Sequence, residues 1–230
     1  MLVRIQVGEW IGVFALIADT ITSIAGDYLL SVLQLLRSLG FYALVVCLGL
    51  MMHVAIVYGS LIHFISPLSL KKFFQGIAPA QLLAFSTSSS AATLPVTMEC
   101  VEENLNVKKE VASFVLPLGA TINLDGTAMY QSIAAVFIAQ ALGMDLNFTA
   151  QLTIVLTALL ASIGAAPVPG SGLIMLVIIL EAIGVPSGGI ALILGVDRIL
   201  DMLRTTANVT GDATVSMLVI LFEGRRTCHE

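Results

Sequence analysis

The chain has 230 residues, of which 58% are hydrophobic and 11% charged, with a formal net charge of −5 and a mean hydropathy of +1.01. A soluble domain carries about 25% charged residues, so this composition excludes an ordinary soluble enzyme, and the net negative charge argues against a nucleic-acid partner. Residues 38–70 and 146–180 contain no Asp, Glu, Lys or Arg, and both runs exceed the roughly 20 residues that cross a bilayer; the reading is a polytopic, all-α membrane protein.

In chain order, residues about 9–36 read as a first span, interrupted by Asp19 and Asp27, and residues about 41–66 as a second, cleaner one. After Lys71-Lys72 comes a stretch holding Ser86-Thr-Ser-Ser-Ser90-Ala-Ala-Thr93-Leu-Pro95. Its middle is built to turn, because serines compete for backbone hydrogen bonds and Pro95 cannot continue a helix from its N-terminal side. Residues about 110–141 are long enough to span, with Asn123-Leu-Asp125-Gly126-Thr127 at mid-depth. Residues about 148–182 break at Gly164-Ala-Ala-Pro167-Val-Pro169-Gly170-Ser-Gly172. The last span, about 188–222, holds Asp197, Asp201, Arg204, Thr205, Asn208 and Asp212. On a helix these six fall within roughly 100° of one another. A polar stripe that narrow is costly in lipid, and ionisable groups inside spans face a bundle interior or a watery cavity on an ion or substrate path.

The cations test the topology. If the two broken stretches are re-entrant hairpins, Arg4, Lys71, Lys72, Lys108, Lys109, Arg225 and Arg226 share one face and only Arg37 lies opposite. The Lys-rich face, with the C-terminus, is then cytoplasmic. The pattern predicts an inner hairpin at 69–106 and an outer one at 147–184, each followed by a span (110–141, 188–222), in opposite orientations. Paired Gly/Pro-interrupted segments in corresponding positions point to a secondary transporter with its site near the midplane. Broken backbone at that depth is tolerated where it lines a cavity or is buried in protein.

Four motifs carry a family resemblance: Ser88-Ser-Ser90-Ala-Ala-Thr93-Leu-Pro95, Asn123-Leu-Asp125-Gly126-Thr127, Pro169-Gly-Ser-Gly172, and Asp201-x-x-Arg204-Thr205-x-x-Asn208-x-x-Gly211-Asp212. In this order and spacing the chain resembles the dicarboxylate/amino acid:cation symporter family, the glutamate and neutral amino acid transporters, from roughly Trp10 to Glu223. The resemblance implies a homotrimer in the cell membrane, with a transport domain moving like an elevator against a scaffold. It implies that the chain is the C-terminal part, beginning before the fifth of eight spans. Residues 1–40 would be a remaining scaffold helix and 41–230 the transport domain.

Arg204 presents a fixed fork of donors suited to a carboxylate, and the resemblance makes it the residue that selects acidic substrates. By the same resemblance Asp201 holds the substrate ammonium and Asn208 the α-carboxylate. Thr127 and Thr205 join them, and backbone groups at Ser88, Ser90 and Val168 line the pocket. For cations it implies one site at Gly119, Asn123, Asn208 and Asp212, and a second at the carbonyls of Thr121, Ser162, Ile163 and Ala165. Asp125 belongs to a third, or caps the helix at the Gly126 break. No organic cofactor is expected. Leu124 stands where sodium-coupled members usually have Met and is shared with proton-coupled relatives, whereas Asp212 favours sodium; the coupling ion is Na+ or H+. Gln131 replaces the Glu of animal glutamate carriers, and Pro167 a common Gly.

The expected function is cation-coupled symport of glutamate or aspartate, with a C4-dicarboxylate second. Two other classes were weighed. An intramembrane protease built on Ser171, or on an Asp125–Asp212 pair, leaves Arg204 and Asn208 without a role, and its histidines, His53 and His63, read as helix-packing or polar-lined residues. An ion channel is separated from a carrier by current that persists without substrate.

Overall fold

A computed structural model describes residues 29–226. Among the described residues the chain is entirely helical, without strands. The first span expected at 9–36 falls largely outside the described residues, as do Arg4, Asp19 and Asp27.

Helix α1 runs Leu29–Met52, passes into a π-helical turn at His53–Tyr58, and continues as α2, Gly59–Ile65. The segment 37–40, expected to separate two spans, is therefore helical and continuous with the second. Its lone breaker is Gly40, which costs a helix about 1 kcal/mol relative to Ala, too little to end one. Leu33–Ile65 is long and apolar enough to cross a membrane, and so is Leu194–Glu223.

Helix α3, Leu70–Thr87, is capped at its start by Ser69, whose side chain accepts from Lys72 N–H. It ends at Ser88, which is left-handed at φ 53°, and Ser89 then caps α4, Ser90–Glu99, by accepting from Ala92 N–H. The break thus falls on the serines and not at Pro95, which lies inside α4. The reason is local: a left-handed serine followed by an N-cap stops one helix and starts another within two residues. A second π-helical turn, Cys100–Asn104, closes this pair.

Helix α5, Lys109–Ile122, and helix α6, Asp125–Ala141, are separated only by Asn123 and Leu124; the break expected at Gly126 falls just before it, and Gly126 lies in the first turn of α6. Helix α7, Phe148–Ile163, is capped by Asn147 through Ala150 N–H. The chain then breaks, turns at Gly170 with φ +77°, and resumes as α8, Ser171–Ala182. A short 3-10 turn, Ser187–Leu192, leads into α9, Leu194–Arg226. Helices α3 and α4 pack against each other, and so do α7 and α8. Helix α9 touches α1, α3, α4, α5 and α6, so it is the central rod.

Apolar packing flanks that rod at both ends. One core joins Tyr42, Val46, Tyr130, Ile138, Ile154, Leu176 and Ile179 to Leu200 and Ala207. Another joins Ile62, Phe73, Ile77, Val101, Val111 and Leu116 to Ala213 and Met217. The outer surface is greasy as well: Phe64, Leu82, Phe114, Phe148, Leu160 and Ile174 are all exposed. Apolar exposure on this scale marks contact with lipid or protein.

Candidate functional site

The polar stripe of α9 faces inward along its whole length. Asp197, Asp201, Arg204, Thr205, Asn208 and Asp212 are each 5% exposed or less. The breaks in the surrounding helices converge on this stripe and form two adjoining clusters.

The first cluster is a recess lined by Ser88, Ser90, Leu124, Thr127, Ala166, Pro167, Val168, Ser171, Asp201, Arg204, Thr205 and Asn208. All eight residues expected at the substrate are therefore brought together, by two helix breaks, the start of α6 and the middle of α9. Its volume is about 10 Å³, about enough for one water. The two tips are joined: Ser89 Oγ donates to Pro167 O at 2.8 Å, and Ala91 N–H approaches the same carbonyl at 3.4 Å.

Arg204 is the largest buried side chain of the recess. Its Nε donates to Asp201 Oδ1 at 2.8 Å, and its guanidinium lies 4.2 Å from the centre of the Tyr130 ring. Nη1 is 3.7 Å from Asp197 Oδ1, too far to hydrogen-bond, and has no other partner among the described residues. A buried guanidinium N–H without an acceptor is costly, so this fork retains donor capacity toward an anion. The approach is close on one side, because a Cβ at Gly172 would stand 2.7 Å from Nη1. Asp201 Oδ2 accepts from Gly170 N–H at 2.9 Å, which ties the outer break to α9. Ser88 Oγ is also buried and unpartnered.

Asn208 bridges to the second cluster. Its Oδ1 accepts from Gly126 N–H at 2.9 Å and its Nδ2 donates to Thr127 Oγ1 at 3.1 Å. One turn further, Asp212 Oδ1 accepts from Asn123 Nδ2 at 3.0 Å. Gly119 supplies the room, since a Cβ there would lie 2.5 Å from Asp212 Oδ1. Gly119, Asn123, Asn208 and Asp212 thus share one neighbourhood of oxygens, with no group of three or more acidic, His or Cys side chains of the kind a transition metal takes among the described residues. A hard monovalent cation needs only such oxygens. Thr121 lies in the last turn of α5, and Ser162 and Ile163 in the last turn of α7, with Ala165 just beyond; these two helices touch. The Thr121 hydroxyl is exposed and bonds only within its own helix, at Leu118 O and Pro117 O, so a role there falls to its carbonyl.

Asp125 Oδ1 accepts from the adjacent Gly126 N–H at 2.8 Å, but Asp125 is the first residue inside α6 and Leu124 is its N-cap, so this is not the helix cap the sequence offered. Its Oδ2 also takes His53 Nε2 at 2.6 Å and the Tyr58 hydroxyl. His53, read as helix-packing or polar-lined, is the latter: it partners Asp125 and not Ser171. The other histidine of that span, His63, stacks edge-on with Phe64. Tyr130 lies under the Arg204 guanidinium and donates to Asp197 at 2.5 Å. Gln131 is fully buried and its Nε2 donates to Gly172 O at 3.0 Å. The only available signal for His53 and Tyr130 was a polar atom inside an apolar span, which does not name its partner.

With the geometry in place, likeness to known proteins can be stated. Residues 10–220 match the family model described as sodium:dicarboxylate symporter family. The chain is 51% identical over 175 residues to excitatory amino acid transporter 1 of Ambystoma tigrinum, covering 76% of this chain and 32% of that protein. It is 48% identical over 177 residues to human excitatory amino acid transporter 5, covering 77% and 32%. Against human excitatory amino acid transporter 2 the identity is 49% over 181 residues, covering 77% and 31%. The chain spans about a third of the length of these curated relatives. A match over nearly the whole chain and identities near one half leave one conclusion: this chain belongs to the sodium:dicarboxylate symporter family.

Proposed function

We propose that the chain carries the substrate and cation sites of a cation-coupled secondary symporter for acidic amino acids, glutamate or aspartate. The observation that carries this reading is the buried Arg204 fork, half engaged by Asp201 and half free, at the meeting point of two helix breaks. The relatives that the chain resembles are named excitatory amino acid transporters, which supports an amino acid as the substrate.

Arg204 takes the side-chain carboxylate in two parallel N–H···O bonds. Asp201 exchanges its bond to Arg204 for one to the substrate ammonium, which is why an amino acid suits this site better than a plain diacid. Asn208 and Thr127 hold the α-carboxylate, and the freed backbone of Ser88, Ser90 and Val168 completes the shell. Such a substrate exceeds the 10 Å³ recess, so the tip at Pro167 must lift from Ser89 to admit it. A cation at Asp212, Asn123, Asn208 and Gly119 neutralises the buried carboxylate. A second, at the carbonyls of Thr121, Ser162, Ile163 and Ala165, favours the closed outer tip, and Asp125 serves a third. Closure that requires both ion and substrate couples their movement. Asp212 offers Na+ a charged oxygen ligand beside Asn123, and on that ground the reading takes Na+ as the coupling ion.

In this proposal residues 41–230 form the moving transport domain, 1–40 belong to a scaffold, and three copies assemble in the cell membrane with the C-terminus cytoplasmic. The 69–106 and 147–184 pairs act as re-entrant inner and outer hairpins. The test is uptake of labelled aspartate into liposomes by the full-length protein, with sodium and proton gradients imposed separately. Uptake that follows the sodium gradient supports the reading; absence of gradient-driven uptake with either ion sinks it.

A further inference from the structure

The π-helical turn His53–Tyr58 places two polar side chains on one carboxylate oxygen. In an ideal α-helix, residues five apart point about 140° away from each other. The turn replaces that geometry with i→i+5 bonding, seen in Gly59 N–H to Val54 O, and so brings residues five apart onto one face. Such turns concentrate at functional positions. The hydroxyl of Tyr58, 4% exposed, donates to Asp125 Oδ2, and its ring meets His53 edge-on at 4.9 Å.

A second element makes room for it. On α9, a Cβ at Gly211 would collide with the Tyr58 hydroxyl and stand 2.8 Å from Asn123 Nδ2. The phenol therefore enters the gap shared by Asp125, Asn123 and the residue preceding Asp212. An ionised carboxylate offers about four acceptor positions. Three on Asp125 are used, two on Oδ2 by His53 and Tyr58 and one on Oδ1 by Gly126 N–H. One is left, on Oδ1, for a cation.

We propose that Tyr58 is a positioning residue for the coupling cation: its hydroxyl, admitted by Gly211, fixes the Asp125 carboxylate so that Oδ1 is presented to the ion. The proposal rests on reading Asp125 as a cation ligand. The test uses the full-length protein with Tyr58→Phe, Asp125→Asn and the double variant, and Gly211→Ala as a second route that displaces the phenol from the α9 side. Sodium binding is read without substrate, as the sodium dependence of thermal unfolding, beside the sodium dependence of aspartate uptake.

Tyr58→Phe and Gly211→Ala should each raise the half-saturating sodium concentration about tenfold or more, the worth of a hydrogen bond to a charged group. The melting temperature in sodium-free buffer should fall in Tyr58→Phe with the loss of this buried bond and fall further in sodium, and in the Asp125→Asn background Tyr58→Phe should add less than about a twofold shift in half-saturating sodium. Equal shifts in both backgrounds, or a shift for Asp125→Asn with none for Tyr58→Phe, would overturn the proposal. An unshifted Asp125→Asn would overturn the cation role of Asp125 and this proposal with it.

Discussion

Replacing Arg204 with Gln tests the substrate reading most directly. Glutamine keeps a donor and much of the length but loses the charge and the fork. In the free protein Arg204 makes one charge-assisted bond, to Asp201, and leaves Nη1 unpaired; with substrate it would make two to the side-chain carboxylate. At about 1.5–3 kcal/mol per bond to a charged group, their loss is about 3–6 kcal/mol, or two to four orders of magnitude in affinity. Part of this change burdens the protein itself, because Asp197 and Asp201 lose their buried cation and removing one partner of a buried pair costs about 3–5 kcal/mol. The double variant Asp197→Asn/Arg204→Gln relieves that burden and separates selectivity from folding. The assay is uptake of labelled aspartate and labelled serine by the same liposomes. Aspartate uptake should vanish while serine uptake persists or appears. A KM for aspartate within tenfold of the unmodified protein would refute the assignment.

Three further outcomes follow from the same geometry. Gly172→Ala puts a methyl 2.7 Å from Arg204 Nη1; the guanidinium can give way, so aspartate affinity should fall about tenfold with little change in melting temperature, and an unchanged KM would remove Gly172 from the site. Ser89→Ala deletes the bond to Pro167 O, worth about 1 kcal/mol, so amide exchange across 164–172 should quicken about fivefold, whereas slowed exchange would contradict the latch. Asp212→Asn keeps the size of the side chain that meets Asn123 but removes its charge; half-saturating sodium should rise more than tenfold while aspartate affinity at saturating sodium holds, and the reverse pattern would move Asp212 to the substrate.

The sequence exposed most of this architecture because its strongest features are local. Two of the helix breaks coincide with residues that end or start helices by themselves, Ser88-Ser89 and the run from Gly164 to Gly170, while the third, at Asn123-Leu124, is signalled only by Asn123 and the nearby Gly126. The α9 stripe was readable because a charged residue inside a membrane span has few places to point. Continuity through 37–40 was missed because a lone glycine resembles a boundary but costs too little to make one. Pro95 misled for the opposite reason, being a strong breaker tolerated inside α4. The partners of Asp125 and Arg204 were beyond reach. His53 lies 72 positions from Asp125, and a π-helical turn has no composition of its own to reveal which face it turns inward.

Helix α9 also acts as a ruler. Asp201, Arg204, Asn208 and Asp212 sit on one unbroken helix, so the distance from Asp201 to Asp212 is about 16 Å, fixed by the 1.5 Å rise per residue. Neither end can approach the other. What can change is only the set of broken segments pressed against the scale, each reading a different mark. Under the proposed assignment, selectivity can be re-cut at the Arg204 mark without disturbing the Asp212 mark, and diversification among related chains should proceed one helical turn at a time.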